Sequence, residues 1–235
     1  MSTTSGILAV DIGGTKLAAA VVTAQGEIIR RDRVATPSRA PWVTLSALIK
    51  RIQATASDIE LVACGVACGG PMKIGGTEVS PLHIPTWIDF PLLQSISELT
   101  GLKTYIDNDA KALALAEGWK GAARDCANFM AVVIGTGVGG GLVENNRLAV
   151  GRSGNAGHFG HIVVGSGMSG LDNRSCRCGG RGCLEAYVSG PAVERETGRD
   201  PMYAPMNLKV RNGILFGRAV ATVAAVAAIA AVTAA

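Results

Sequence analysis

The sequence contains little charge and few aromatic residues. Charged residues make up 17% and aromatic residues 4% of its 235 residues, whereas hydrophobic residues make up 48%. A chain this apolar can form a packed core, which excludes an intrinsically disordered protein. The net charge is +4, and the lysines and arginines are scattered, with the densest cluster at Arg30, Arg31 and Arg33. Because there is no basic stripe, we expect no nucleic-acid partner.

Targeting signals are also missing. Residues 1–5 contain no lysine or arginine, and the apolar run that follows soon meets Asp11, so no secretory signal is recognised. This predicts a cytoplasmic protein, in which disulfides are rare. Residues 219–235 carry no charge but are mostly alanine, and the run is shorter than a typical membrane span of about 20 residues. We therefore favour a packed helix over a membrane helix and expect no membrane partner.

The six cysteines then need an explanation other than disulfides. Three of them lie in apolar or small-residue surroundings and are predicted to be buried thiols. These three are Cys64, Cys68 and Cys126.

The other three cysteines follow His161 in the pattern Cys176-x-Cys178-x4-Cys183. Three thiolates and one imidazole match a closed tetrahedral zinc site, which is structural because no coordination position stays open. Residues 151–182 are rich in glycine and cannot build their own core, so a metal there would stabilise the fold. Unligated thiols in a flexible loop are the alternative.

An apolar strand, a turn of glycine and threonine, and a second apolar strand occur twice, beginning near residues 7 and 129. This repetition predicts a duplicated hairpin whose two turns close on one polyphosphate. Strands are predicted at residues 7–12, 17–22, 27–34, 61–67, 103–106, 129–134 and 138–143, and helices at 41–56 and 109–119.

The first of these turns, from Asp11 to Lys16, places an acidic residue at a strand end before two glycines and a threonine. Glycines let backbone N–H groups approach a phosphate, the threonine hydroxyl adds a donor, and the carboxylate can hold Mg²⁺. An ordinary β-hairpin is the alternative for this turn taken alone. The candidate phosphate and magnesium residues of both turns are Asp11, Gly13, Gly14, Thr15, Lys16, Gly135, Thr136 and Gly137.

With these motifs, the sequence between about Leu8 and about Gly190 resembles the ROK family (repressors, open reading frames and kinases) of the actin, hexokinase and Hsp70 superfamily. The resemblance is carried by the two glycine turns, Asp107-Asn108-Asp109, Gly160-His161 and the cysteine cluster. It implies an α/β, actin-like ATPase (ribonuclease H-like) fold with two lobes, at residues 1–120 and 121–235. After Arg199 the sequence no longer resembles the family, so we expect the second lobe to be truncated or divergent after about residue 200.

The resemblance also assigns roles within the site. It makes Asp109 the general base that accepts the proton of the sugar's 6-hydroxyl during in-line transfer from ATP with Mg²⁺. From the residues alone, an isolated aspartate that opens a helix is better explained as a cap or first-turn acid. The implied zinc ligands are His161, Cys176, Cys178 and Cys183. The implied sugar contacts are Gly70, His83, Asn108, Asp109, His158, His161 and Glu185.

Two histidines depart from the family pattern. The usual Glu-x-Gly-His motif begins with His158 here, as it does in some N-acetylmannosamine kinases of the family, and His83 stands where asparagine is usual. An ionised glutamate only accepts hydrogen bonds, whereas a neutral imidazole donates one and accepts one. The hydroxyl pattern that the site recognises must therefore differ, and the sugar stays open between glucose and N-acetylmannosamine types.

The sequence thus predicts an ATP-dependent kinase for a hexose or N-acylhexosamine, with ATP, Mg²⁺ and structural zinc as cofactors. The family implies a homodimer or homotetramer. A sugar-sensing regulator is one alternative, but the first phosphate strand begins near residue 7, so we expect no DNA-binding domain. A sugar-binding protein without catalysis is another alternative, which the divergent C-terminal part favours and which Asp11 and Asp109 argue against.

Overall fold

The computed structural model describes residues 5–164 and 172–233. The larger of two sheets contains the strands β1 (Ser5–Ile12), β2 (Lys16–Val22), β3 (Ile28–Ala35), β4 (Glu60–Cys68) and β5 (Thr104–Asn108). Their order across the sheet is β3-β2-β1-β4-β5. The first three strands form an antiparallel meander, whereas β4 pairs in parallel with both β1 and β5.

One face of this sheet packs on two helices, α1 (Pro41–Thr55) and α2 (Leu92–Thr100). Because side chains alternate between the faces of a strand, Leu8, Val10 and Ile12 all point into this core and are 3% exposed or less. Both helices supply an apolar stripe at helical spacing to the same core. Its buried members are Leu45, Leu48, Ile49, Ile52, Leu92 and Ile96.

The opposite face of the sheet carries small side chains and borders a concavity of about 1210 Å³. Its lining includes Ala9, Ala18, Ala20, Gly65 and Ala67. Of the predicted site residues, only Asp11 and Lys16 reach it. This concavity is therefore a mainly apolar sheet face and not the predicted sugar pocket.

The smaller sheet contains β6 (Phe129–Ile134), β7 (Val138–Glu144) and β8 (Arg147–Leu148), and helix α3 (Asp109–Lys120) packs on it. Gly139 and Gly141 lie directly under Ala110 and Ala114 of α3, and a Cβ on Gly139 would come within 2.9 Å of the Ala110 methyl group. The glycines of β7 thus allow the helix backbone to approach the strand closely. They have a packing role, and the turn itself is confined to residues 135–137.

Strand β6 forms one edge of the smaller sheet, and within residues 5–164 and 172–233 no strand pairs with its outer edge. In the duplicated hairpin it corresponds to β1, which is paired on both sides. Val133 and Ile134, at the end of β6, are 42% and 47% exposed.

The C-terminal part adds helices α4 (Glu185–Val188), α5 (Gly190–Thr197) and α6 (Met206–Thr233). Glu196 of α5 binds the Arg211 guanidinium of α6 through both oxygens, at 2.6 and 2.7 Å, and accepts a third hydrogen bond from Arg174 at 2.9 Å. The Arg211 hydrogen bonds, with help from Arg174, lower the pKa of Glu196 to about 2. This network joins α5 and α6 to the segment that leads into the cysteine cluster.

The structure confirms the predicted strands and helices to within a few residues, including the repeated strand–turn–strand unit. It also confirms that Cys64 and Cys68 are buried. The prediction for Cys126 was wrong: this thiol is exposed, because it lies in the turn between α3 and β6 and not in an element that faces a core. The lobe boundary near residue 120 stays a prediction, and α3 packs chiefly on the smaller sheet.

The alanine-rich segment forms the second half of α6, as predicted. Leu215 and Ala219 are buried against Val138, Leu184 and Tyr187, while the side chains beyond residue 223 lie outside the described part. Across the described ranges, no helix combines the length and the hydropathy that crossing a membrane requires.

Truncation of a core side chain on α1 should destabilise the fold. We expect Leu48→Ala to lower the free energy of unfolding by about 2–5 kcal/mol, because it leaves a cavity at a fully buried position. Val43→Ala on the same helix removes apolar atoms from a side chain that is 64% exposed, and should change the value by less than about 0.5 kcal/mol. Denaturant unfolding measures both, and equal effects would contradict the described core.

Candidate active site

Three strands of the larger sheet end side by side at the candidate site. Ile12 at the end of β1 pairs with Cys68 of β4, which pairs in turn with Asn108 of β5. The side chains at these ends meet because the carboxyl ends of parallel strands share one edge of a sheet. Burial raises the pKa of Asp11; Lys16 opposes that rise and the negative charge of Asp109 adds to it. The two carboxylates are therefore electrostatic neighbours.

Asp109, the proposed general base, lies at the start of α3 and is exposed to solvent. Asn108 is the N-cap, and its Oδ1 accepts a hydrogen bond from the Ala110 N–H at 3.0 Å. Asp109, the first helical residue, also accepts from that N–H, at 2.8 Å, yet its residue is exposed. Asn108 therefore occupies the N-cap and Asp109 is an acidic residue of the first turn, while the second oxygen of the Asp109 carboxylate accepts no hydrogen bond from the described residues.

His158 lies beside the loop that follows β4 and contains Gly69 and Gly70, which we call the glycine loop of the larger sheet. A Cβ on Gly70 would come within 3.2 Å of His158 Nε2 and 3.6 Å of Asn108 Nδ2, so both polar groups face the bare backbone there. His158 Nε2 is buried and has no hydrogen-bond partner among the described residues. Burial lowers the pKa of His158 and the nearby His161 lowers it further, which favours a neutral ring able to donate and accept.

The two glycine turns face each other across His83. The backbone of Gly14 packs against the His83 side chain, and a Cβ on Gly137 would lie 3.7 Å from His83 Nε2 and 2.8 Å from Glu185 Oε2. Glu185 accepts a hydrogen bond from the Val138 N–H at 2.8 Å. The first turn, the second turn, His83 and Glu185 therefore come together at one place.

Other predicted phosphate residues lie in the turns themselves. The Gly13 N–H donates to the Lys16 carbonyl at 3.0 Å, and the Gly135 N–H donates to the Gly137 carbonyl at 2.9 Å. Thr15 and Thr136 are exposed at the tips of these turns, where their hydroxyls are available to a ligand. The predicted phosphate residues thus lie at the two turns, whereas Gly70, His83 and His158 lie in loops beside them.

The four predicted metal ligands converge. One ligand atom from each of His161, Cys176, Cys178 and Cys183 lies within 4.8 Å of all the others. The Cys178 and Cys183 sulfurs are 3.8 Å apart, and His161 Nδ1 is 3.7 Å from the Cys176 sulfur. A tetrahedron with metal–sulfur bonds of about 2.3 Å has sulfur–sulfur edges of nearly 3.8 Å, so the donor set fits zinc.

Protein groups alone do not favour thiolates throughout this cluster. Burial raises the pKa of Cys183 to about 12 and also raises that of Cys176, whereas a backbone hydrogen bond from Gly180 lowers that of Cys178. The positive charge of a bound cation would stabilise the thiolate forms of Cys176 and Cys183. Because Nδ1 of His161 faces the sulfurs, Nε2 remains for its predicted sugar contact.

Three residues near the site were not found from the sequence. Thr36 closes the first turn by donating its hydroxyl to the Gly13 carbonyl at 2.7 Å. Lys111 and Asn155 make buried or part-buried contacts around His158. The one available signal was Lys111, four residues after Asp107 among the alanines and leucines of residues 110–116, a spacing that permits an ion pair.

The two-sheet architecture with paired glycine turns is the actin-like ATPase fold. A family model described as ROK family matches residues 7–234, and the chain belongs to this family. Among curated relatives, an N-acetylmannosamine kinase from Yersinia pseudotuberculosis is 38% identical over 193 residues, which cover 81% of this chain and 63% of the relative. The chain thus spans less than two thirds of that relative's length.

Solved structures agree with this assignment. A ROK family glucokinase from Streptomyces griseus, in complex with glucose and AMPPNP, is 35% identical, with a TM-score of 0.69 over 81% of this chain and 59% of the other. A ROK hexokinase from Thermus thermophilus is 29% identical, with a TM-score of 0.76 over 93% of this chain and 77% of the other. The predicted fold class and family are therefore confirmed.

The cysteine cluster should hold one metal ion. We expect protein purified without chelators to contain about one zinc per chain, because four ligands of this type form a closed site. Cys183→Ser should lose the metal and lower the melting temperature, whereas Cys126→Ser, at an exposed thiol outside the cluster, should keep both. Elemental analysis with thermal melting tests this, and equal zinc in the two variants would contradict the ligand assignment.

His158 should titrate below the ordinary histidine range. The unfolded chain, with a histidine pKa near 6.5, then binds the proton more readily than the folded chain. Its contribution to stability is therefore complete above about pH 6.5 and is lost as the pH falls through the lowered folded pKa. NMR titration of the three histidine Cε1–H signals tests this, with His158→Gln identifying the signal. A His158 pKa at or above 6.5 would contradict the described burial.

Proposed function

We propose that this chain is a sugar kinase that transfers the γ-phosphoryl group of ATP to the 6-hydroxyl of a hexose or N-acylhexosamine. The observation that carries the proposal is the exposed carboxylate of Asp109, which is an electrostatic neighbour of Asp11 at the first glycine turn and of the buried His158. A base with a free oxygen, a polar pocket and two phosphate-binding turns are the parts that phosphoryl transfer to an alcohol needs.

The pocket residues would recognise the sugar. Asn108 uses its Oδ1 in the helix cap, so its amide nitrogen is free to donate to a hydroxyl. His158 Nε2, which is buried and has no hydrogen-bond partner within residues 5–164 and 172–233, is suited to a second hydroxyl, because an unmet buried polar atom is costly and a substrate group would satisfy it. Gly70 leaves room for the sugar ring between them, since a side chain there would meet both residues.

The two glycine turns would bind the phosphates of ATP, the phosphoryl donor. Backbone N–H groups around Gly14 and Gly137 and the hydroxyls of Thr15 and Thr136 suit phosphate oxygens, and Asp11 would hold Mg²⁺ directly or through water. The magnesium ion would neutralise charge on the phosphates. Asp109 would accept the proton of the attacking hydroxyl, and most of the rate gain would come from the alignment of the reactants.

The metal cluster would have a structural role in this scheme. Cys183 and Glu185 are two residues apart, and Glu185 is hydrogen-bonded to the second turn through the Val138 N–H. Zinc would therefore fix His161 and Glu185 relative to the turn without taking part in the chemistry. The two lobes at residues 1–120 and 121–235, the cytoplasmic location and the homodimer or homotetramer predicted from the sequence belong to the same proposal.

A panel of glucose, mannose, N-acetylglucosamine, N-acetylmannosamine and allose would identify the sugar substrate. A 38% identical relative is an N-acetylmannosamine kinase, and a 35% identical structure is a glucokinase in complex with glucose. Histidine at position 158 differs from the usual glutamate, which favours N-acetylmannosamine as the first sugar to test. A coupled ADP-release assay with Mg-ATP should give a strong signal with one member of the panel.

Asp109→Asn should abolish turnover and spare binding. We expect kcat to fall by at least about 100-fold, because the amide cannot accept the hydroxyl proton. The sugar Kd from calorimetry should change little, since Asn108 keeps the helix cap. Asp125→Asn, at an aspartate whose side chain is 90% exposed, is the matched control and should keep full activity. A folded wild type that binds sugar without releasing ADP would instead support a sugar-binding protein without catalysis.

A further inference from the structure

Lys111 is a buried lysine that the scheme above does not use. Its side chain is 1% exposed, in a helix face that is otherwise made of alanine. Lysine is seldom buried completely unless its charge is paired. The ammonium group donates to Asp107 Oδ1 at 2.6 Å and to the Gly154 carbonyl at 3.0 Å.

The first of these contacts lies at the end of β5, beside the catalytic residues. Asp107 Oδ1 also accepts a hydrogen bond from the Asn108 N–H at 2.8 Å. The side chain of Asp107 is 34% exposed, so water reaches this carboxylate although its partner is buried. The ion pair therefore joins the first turn of α3 to the end of β5, which leads into Asn108 and Asp109.

The second contact is with the segment before His158. In that segment, Asn155 accepts a hydrogen bond from the Met72 N–H at 3.1 Å and donates to the Met72 carbonyl at 3.0 Å. Met72 lies two residues after Gly70, whose backbone borders His158. Asn155 thus attaches the segment to the glycine loop of the larger sheet.

A third attachment comes from the smaller sheet. The Gly140 N–H of β7 donates to the Gly157 carbonyl at 2.9 Å, and Gly157, at φ +95°, has a conformation that favours glycine. Residues 154–157 are therefore held by α3, by the glycine loop and by β7 in turn. His158 follows at once, so these three attachments decide where its unpartnered Nε2 lies.

We propose that Lys111 is a positioning residue for the sugar pocket. It holds residues 154–158 against the start of α3, so that His158 and Asn108 face the same ligand. This inference rests on the proposed function, because it takes the ligand of that pocket to be a sugar.

Stability alone does not account for a lysine at this position. A buried ion pair is often no more stable than apolar side chains of similar volume, because both charges lose their hydration. Methionine would fill the same space in α3 without that cost. What lysine adds is simultaneous attachment to two acceptors, one beside Asn108 and the other four residues before His158.

Hydrogen exchange tests the attachment without any substrate. In Lys111→Met, we expect amides of residues 151–158 to exchange faster, while those of β1 and β4 keep their wild-type rates. Lys120→Met on the last turn of the same helix is the matched control, because Lys120 is exposed and its ammonium group lies over the Trp119 ring, and it should leave the segment unchanged. Unchanged exchange at 151–158 in Lys111→Met would overturn the proposal.

Sugar binding tests the consequence. We expect the Kd and KM for the sugar to rise about tenfold in Lys111→Met, with the KM for ATP unchanged, since one attachment of the pocket is lost. Asn155→Ala, which removes another attachment, should act in the same direction and provides a second variant if Lys111→Met does not fold. The double variant should show less than the product of the two effects, because both residues hold one segment.

The outcomes separate the two proposals. Faster exchange with an unchanged sugar Kd would overturn the positioning role, and so would equal losses in sugar and ATP affinity, which a general destabilisation would produce. A folded wild type that binds no sugar of the panel would contradict the proposed function instead. In that case the exchange experiment would still decide whether Lys111 holds residues 154–158 in place.

Discussion

The close approach of α3 to β7 decides the geometry of the whole site. Where Gly139 and Gly141 lie under Ala110 and Ala114, only the alanine methyl groups separate the helix from the strand. The N-terminus of α3 carries Asp109, and the start of β7 follows the second glycine turn. Larger side chains at either glycine would push the helix away and would move the proposed base from the phosphate turns. Close packing of two backbones is thus the constraint on which the catalytic arrangement depends.

A second constraint is the distribution of charge between buried and open positions. Asp109 is exposed, whereas Lys111, two residues further along the same helix, is buried and paired. Asp11 lies between these extremes, with a pKa that burial raises against the opposing effect of Lys16. Two charged side chains of α3 therefore differ in exposure, because helix periodicity turns Asp109 toward solvent and Lys111 toward the interior.

Much of this arrangement could be predicted from the sequence, for identifiable reasons. The strand–turn–strand repeat shows in short-range hydrophobic patterning, and the cysteine spacing limits the cluster to a few geometries, so both were found. The resemblance supplied the roles of Asp109 and His158, which no local pattern carries. Cys126 was misjudged because its neighbours Arg124, Asp125 and Asn128 are typical of an exposed turn, which is what the segment forms. The contacts of Lys111 and Asn155 join residues 43 and 83 positions apart, and only the folded chain brings them together.

The open edge of β6 has a consequence for how the protein behaves at high concentration. The strand reads Phe-Met-Ala-Val-Val-Ile, carries no charge, and presents unpaired backbone groups along its outer side within the described part of the chain. Natural sheets blunt such edges with lysine, proline or a covering element, since a bare apolar edge recruits strands from other molecules. Here colloidal stability depends on what covers that edge in solution, and a single charge on its solvent side would improve solubility without touching the chemistry of the site.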